Sequence, residues 1–470
     1  MTVSSNPSPS TNRLLFELDE RPPWPQALLA TTAHLLAVVG GIAAAPLLIA
    51  AGLGLDVATT NYIIGAAFMV SGVATFIQVK TFSIGAFGPI GSGLLSVQGT
   101  SFAFIGAMMF AGAALDAALL TDVERLGVLL GSAAVGAFIT VVAGFFIQHL
   151  SRIVTPTVTG IAIFLLGLSL MNAAWTNLGF ALQAVEAGGG SVAGVWIQVA
   201  IVVGVVLGCA LQGNPWLRLS SITLGLLAGL VYSAMTGALV AVDTRELPLF
   251  QILQPTPFPL GFDLGVCLIL LPIFFVTMTE SLGDLTATSM LSNLKTTGAS
   301  YWRRVRGGVM ADGLNSVLAA LLGTFPNTTF SQNNAVIQLT GVASRFVGIL
   351  LAIALLLLGM LPAFGAVFQR LPGGVLHGTT GILFTMIALV GVRMLASLPD
   401  RKRTLRMAAV CTLGAFLCTQ IEAVLAPTGI ALPTYLSMLL NFPVATGVLI
   451  GVFWELIAIQ FEKGKSNDCA

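Results

Sequence analysis

The sequence predicts an all-α polytopic membrane protein of fourteen transmembrane segments, with short β-strands in broken spans 3 and 10. Three observations carry this reading. Of 470 residues, 56% are hydrophobic and 8% charged, where a soluble domain carries roughly a quarter charged side chains. Apolar stretches long enough to cross the hydrocarbon core as helices recur from Leu28 almost to the C-terminus. The basic residues, assigned alternately to the two sides of fourteen crossings, concentrate on one side.

The first twenty-odd residues are polar and end in Arg21, Pro22, Pro23, Trp24 and Pro25. No basic region leads into a short cleavable apolar core, so a secretory signal peptide is not expected. Clear spans lie near 27–50, 57–78, 126–148, 153–173, 191–211 and 219–241. A second series follows near 264–288, 307–324, 346–366, 373–396, 405–426 and 441–461. Two more stretches, Phe82 to Ala114 and Pro326 to Ser344, are apolar but too rich in Gly, Pro, Ser and Asn to be simple helices. Irregular backbone at membrane depth survives only where protein or a water-lined cavity satisfies its amides. Each stretch is third in a half of seven spans, and matching interrupted segments in two halves point to a transport site.

With the N-terminus inside, the cytoplasmic segments hold Arg13, Arg21, Lys80, Arg152, Arg218, Lys295, Arg303, Arg304, Arg306, Arg345, Arg393, Arg401, Lys402, Arg403, Arg406, Lys463 and Lys465. The other side keeps Arg125, Arg245 and Arg370. Dropping either broken span from the count destroys this bias downstream. Both termini are therefore expected in the cytoplasm. The net charge of +1 leaves no nucleic-acid footprint. Cys209, Cys267, Cys411, Cys418 and Cys469 mostly lie in apolar segments without metal-ligand spacing and read as small buried hydrophobes. No metal and no cofactor is expected.

Ionisable groups inside a bilayer are costly and functional by default. This chain offers His34, Glu280, Asp284, Asp312, Glu422 and Glu455. Glu422 and Glu455 lie toward span ends. Glu280 and Asp284, four residues apart, share one helix face, and Asp312 is placed in the middle of a short helix next to Gly313. Three carboxylates on adjacent spans suit a donor-rich ligand, a cation or a proton. Carboxyl groups withdrawn from water exchange protons nearer neutral pH than exposed ones.

The second broken segment contains Asn327, Thr328, Thr329, Phe330, Ser331, Gln332, Asn333, Asn334 and Ala335. Thr328 to Ser331 suits a short strand, after which Gln332 or Asn333 opens a half-helix. Such a helix aims free amides and the positive end of its dipole at a ligand. Carboxamides add donor and acceptor atoms in one plane, matching the edge of a nucleobase or another planar amide. In the first broken segment Leu94 to Gln98 reads as the matching strand, followed by Thr100, Ser101 and Phe102 and a second half-helix, with Phe102 placed to stack on a flat ligand.

The run Gln332-Asn333-Asn334-Ala335-Val336-Ile337-Gln338-Leu339-Thr340-Gly341 closely resembles the signature of the nucleobase-ascorbate transporter family, also called the nucleobase:cation symporter-2 family. Ala335 stands where that signature has Gly. Thr279 to Asp284, Asp312 and Gln98 to Phe102 match as well, so the resemblance covers nearly the whole chain. It implies two inverted seven-span repeats. Around the tails at 1–25 and 463–470, a core domain (26–150 and 259–366) slides against a gate domain (151–258 and 367–462), usually in a homodimer.

The resemblance further implies that Glu280 and Gln332 hydrogen-bond a base while Phe102 stacks on it, with Ser101 and Ser331 lining the site. Asn333, from just behind the site, would tune selectivity, with Thr100 and Ala335. Asp312, Asp284 and His34 would support proton coupling, although Ala33, before His34, replaces the Gln of many relatives.

The expected function is import of xanthine or uric acid with protons, by elevator-type alternating access in the plasma (inner) membrane. The alternatives are a uracil or other pyrimidine permease and, on the same general fold, an anion exchanger, against which Glu280 argues. An intramembrane aspartyl protease would need two aspartates sharing a proton across a cleft. Fourteen spans with two broken helices exceed what that chemistry requires.

Overall fold

The computed structural model describes residues 14–83, 88–116, 120–151, 153–242, 247–425, 427 and 432–467. Arg13, Arg152, Arg245 and Cys469, weighed above, lie outside them, as do the outermost residues of both tails. Helices dominate because the apolar runs must satisfy their own backbone. The first half holds α1 (Trp24–Gly52), α2 (Val57–Lys80), α3 (Ala103–Asp116), α4 (Asp122–Gly144), α5 (Ile147–Leu150), α6 (Pro156–Ala187), α7 (Val192–Leu211), α8 (Pro215–Leu219) and α9 (Ser221–Met235). The second holds α10 (Leu264–Leu291), α11 (Gly298–Leu321), α12 (Gln332–Thr340), α13 (Arg345–Gly359), α14 (Pro362–Gln369), α15 (Gly373–Ala396), α16 (Arg401–Thr419), α17 (Ile421–Leu425), α18 (Thr434–Leu440) and α19 (Pro443–Asn467).

Many helix starts are written in the local sequence. Asp56 accepts from the amides of Ala58 and Thr59, Asp263 from Val266, and Thr121 with Glu124 closes a reciprocal capping box. Among the described residues α1, α2, α4, α6, α7, α10 and α15 are each long and apolar enough to cross a membrane. The α13–α14 and α18–α19 pairs are bent by 74° and 82°, and α3 and α9 are shorter apolar helices. The chain is a multi-pass membrane protein.

Among the described residues, four short strands lie in the broken stretches: β1 (Phe82–Ser83), β2 (Pro89–Ile90), β3 (Gln98–Thr100) and β4 (Asn327–Thr329). β1 pairs with β2, and β3 pairs antiparallel with β4 through Gln98–Thr329, Gly99–Thr328 and Thr100–Asn327. The strand expected at Leu94 to Gln98 is thus displaced toward the C-terminus. Leu94 and Leu95 are buried as irregular chain, whereas Gln98 to Thr100 meet the partner that completes their backbone bonding. Asp312 also departs from expectation. Its helix is not short, because α11 begins at Gly298 and takes Arg303, Arg304 and Arg306 into its first turns.

The helices pack as two groups. In one, α2 packs on α13, α11 on α4, α10 on α4 and α11, and α1 on α2 and α13, around the β3–β4 pair. In the other, α6 packs on α15 and α19, α7 on α9 and α15, and α16 on α19. Small residues permit the close approaches: a Cβ on Gly72 of α2 would come within 2.6 Å of the Ala352 carbonyl oxygen of α13. The groups meet where α10 touches α18, α19 and α6, where α3 touches α6 and where α1 touches α9.

Candidate functional site

Both broken spans feed one place. The antiparallel β3–β4 pair runs out into Ser101 at one end and Ser331 at the other, and from there α3 and α12 lead away. A cavity of about 560 Å³ opens at these two helix starts, within the range of small-molecule sites. Ser101, Phe102, Thr328, Thr329, Phe330, Ser331, Gln332 and Ala335 line it from the broken spans. Thr279, Glu280, Gly283 and Asp284 line it from α10. The second helix group supplies Thr159, Ile163 and Leu166 of α6, Leu383, Met386, Ile387, Val390 and Met394 of α15, and Arg218, Ser221 and Ile222 at α8–α9. The Thr159 and Thr279 hydroxyls, 2.6 Å apart, join the two groups at its wall.

The rings of Phe102 and Phe330 face each other with centroids 6.2 Å apart and planes 14° from parallel. Parallel π-faces offer a flat ligand a surface for offset stacking. A Cβ on Gly41 of α1 would lie 3.1 Å from Phe330 and 3.5 Å from Phe102, so the small residue leaves both rings their places.

A chain of hydrogen bonds runs from the cavity into the protein. Thr329 Oγ1 donates to Asp284 Oδ2 at 2.9 Å and approaches Ser281 Oγ at 3.4 Å. Ser281 Oγ donates to Asp312 Oδ2, and Gln78 Nε2 donates to Asp312 Oδ1 at 2.9 Å. Gln78 also donates to the Gly308 carbonyl at 2.8 Å and accepts from the Ser92 amide at 3.0 Å. Asp312 therefore binds α10, α11 and α2 together behind the strands, without lining the cavity.

Of the residues singled out from sequence, Glu280, Gln332, Phe102, Ser101, Ser331, Ala335 and Asp284 come together on the cavity wall. Asn333 does not. It is buried behind, its Nδ2 donating to the Leu95 carbonyl at 2.6 Å. Thr100 is buried in β3 and His34 in α1; neither lines the cavity. Glu455, expected near water, is 4% exposed, paired with Arg403 at 2.6 Å and accepting from Thr155 at 3.0 Å. It braces α6, α16 and α19. Glu422 accepts from Asn441 at 2.8 Å. Cys267 and Cys411 are buried, while Cys209 and Cys418 are half-buried. Sequence reasoning missed Phe330, Thr329 and the whole contribution of α6 and α15, which is apolar apart from Thr159.

Comparisons with known proteins agree with this picture. A family model described as a permease family matches residues 25–423. The chain is 35% identical over 446 residues to the xanthine permease XanQ of Escherichia coli K12, covering 94% of this chain and 93% of that one. It is 35% identical over 451 residues to XanP of the same strain, covering 95% of each. Among solved structures it is similar to SLC26A9 (TM-score 0.58, 14% identity, 94% of this chain and 66% of that one). The murine SLC26A9 anion transporter gives a TM-score of 0.56 at 14% identity, over 94% of this chain and 69% of that one. At such identity these two likenesses concern the fold alone. The chain is a transporter, not an enzyme, and belongs to the nucleobase-ascorbate transporter family of permeases.

Proposed function

We propose that the protein is a proton-coupled symporter that imports an oxidised purine, xanthine or uric acid, across the inner membrane. The observation that carries this reading is one cavity in which two near-parallel aromatic faces, Phe102 and Phe330, stand with a carboxylate, Glu280, and a carboxamide, Gln332. Oxidised purines are flat and alternate N–H donors with carbonyl acceptors, which these groups bind in complementary fashion. The similarity to XanQ and XanP supports the purine over the pyrimidine alternative. An anion exchanger fits less well, because Glu280 and Asp284 face the cavity.

Coupling is assigned to the chain from Asp284 through Thr329 and Ser281 to Asp312, whose two carboxyl groups can hold a proton between them. His34 remains a proposed contributor through α1. The two helix groups suit alternating access of the elevator type, with α1–α4 and α10–α14 as the moving core and α6–α9 and α15–α19 as the gate. Fourteen crossings in inverted repeats, cytoplasmic termini and a homodimer belong to the same proposal. Arg218 and Met394, near the cytoplasmic side in the proposed orientation, line the cavity, which supports an inward-facing state.

The test is uptake of radiolabelled xanthine, uric acid and uracil into vesicles with and without an imposed pH gradient. Gradient-driven accumulation of a purine is the expected result. Absence of uptake of all three by folded, inserted protein would refute the nucleobase reading. Uptake indifferent to the gradient would refute proton coupling alone.

A further inference from the structure

The segment before α1 does more than lead into the membrane. Leu14, Phe16 and Leu18 alternate as inward-facing residues with the exposed Leu15 and Glu17, the period of an extended chain against a surface. Phe16 forms a parallel bridge with Val342. The amides of Leu15 and Phe16 reach the Gly341 carbonyl at 2.8 and 3.2 Å, the Ala343 amide donates to Phe16 at 3.0 Å, and the Arg345 amide to Leu18 at 2.9 Å. Ser344 Oγ donates to the Glu20 carbonyl at 2.5 Å. The segment is thus bonded along the whole link between α12 and α13.

The side chains beneath it belong to both broken spans. Leu14 and Phe16 pack on a cluster containing Leu95 of the first and Ile337 and Val342 of the second. Leu18 enters a separate cluster with Leu94, Met278 and Leu285. Arg345 ties the same parts by polar contacts. Its Nη1 pairs with Asp19 and its Nε donates to the Gly93 carbonyl at 2.6 Å. Gly93 has φ +69°, and a Cβ there would lie 2.9 Å from Arg345 Nη2, so glycine serves both the turn and the approach. Gly341, at φ +67°, ends α12 in the left-handed conformation directly under the strap.

We propose that residues 14–20 are a strap, with Arg345 as its positioning residue, that fixes α12 against the first broken span and so sets where Gln332 stands in the cavity. A helix of nine residues is too short to hold itself, and its far end is held by these contacts. The strap touches no ligand. It acts by pre-organising the half-helix, and a loosened half-helix costs affinity because ordering it must be repaid on binding. The transport consequence rests on the nucleobase reading; the mechanical one does not.

The experiment uses full-length protein carrying Phe16→Ala, Arg345→Gln, Arg345→Lys or Asp19→Asn. Amide hydrogen exchange by mass spectrometry and xanthine uptake kinetics are measured on each, with the amount of membrane-inserted protein. For Phe16→Ala and Arg345→Gln the expected result is faster exchange across residues 332–341 and 94–98. The same two variants should raise KM by about tenfold with maximal rate per inserted molecule nearly kept. Arg345→Lys, which keeps the charge but not both guanidinium contacts, and Asp19→Asn, at an exposed position, keep the fold and give smaller changes of the same kind. Unchanged exchange over 332–341 in all four variants would overturn the strap. Less inserted protein with an unchanged KM would overturn it too, since that marks a role in folding alone. If wild type takes up no xanthine, the nucleobase reading fails while the exchange measurement still decides the strap.

Discussion

Glu280 and Gln332 reach one cavity from different helices, α10 and α12, so a ligand spanning both is held by two independent attachments. A hydrogen bond to a charged group contributes about 1.5–3 kcal/mol. Glu280→Gln should accordingly lower purine uptake by about 10- to 100-fold, and Gln332→Ala should act in the same direction. Initial rates normalised to inserted protein check both, and wild-type kinetics in either variant would remove that residue from the site. Phe330 makes a different prediction, because stacking contributes about 0.5–1.5 kcal/mol beyond area burial. Phe330→Leu should keep the fold and raise KM by about two- to tenfold.

These residues were unequally legible. Glu280 stood out because an ionisable group in a membrane span needs a reason, and Gln332 because carboxamides interrupt an apolar run. Phe330 carries no such mark. In a chain with 28 phenylalanines an aromatic residue facing a ligand reads the same as one facing lipid. Met386 and Val390 escaped for the same reason. Thr329 was visible only as a strand residue, since its bond to Asp284 depends on a fold that brings α10 against β4.

At the scale of elements, the interruptions between α2 and α3 and between α11 and α12 were readable from Gly, Pro, Ser and Asn, but strand register was not. β3 starts at Gln98 because β4 offers it partners there, and pairing between segments so distant in sequence is not encoded locally. The strap had a local signal, the alternation of Leu14, Phe16 and Leu18, hidden within a tail that reads as polar. Glu455 shows how packing reassigns a carboxylate. Its pairing with Arg403 and Thr155 braces three helices, so Arg403→Met leaves a buried carboxylate without its counter-charge and should destabilise by about 1–3 kcal/mol. Glu455→Gln, which removes the charge, should cost less. Thermal unfolding of the two variants in detergent checks the order, and an equal or reversed ranking would mean that the pair is not what braces α6, α16 and α19.

Across the whole molecule, the proposed elevator requires the two helix groups to slide while each stays intact, and the packing supplies a matched pair of probes. A Cβ on Gly106 of α3 lies 3.3 Å from Leu170 Cδ2 and 4.0 Å from its Cγ on α6, across the boundary. A Cβ on Gly414 of α16 lies 3.9 Å from Ile450 Cγ1 on α19, within one group. The Cβ atoms of Leu170 and Ile450 lie one carbon–carbon bond beyond these Cγ atoms, so a small backbone shift brings each pair to the Cβ spacing of about 3.5–4.5 Å that a disulfide needs. In a background lacking the five native cysteines, oxidation of a Gly106→Cys, Leu170→Cys pair should stop transport, and reduction should restore it. The Gly414→Cys, Ile450→Cys pair should transport whether oxidised or reduced. Uptake that persists with the first pair fully crosslinked would mean that the groups do not slide past each other at α3 and α6. Access to the cavity would then have to change by local movement of α12 or α8 instead.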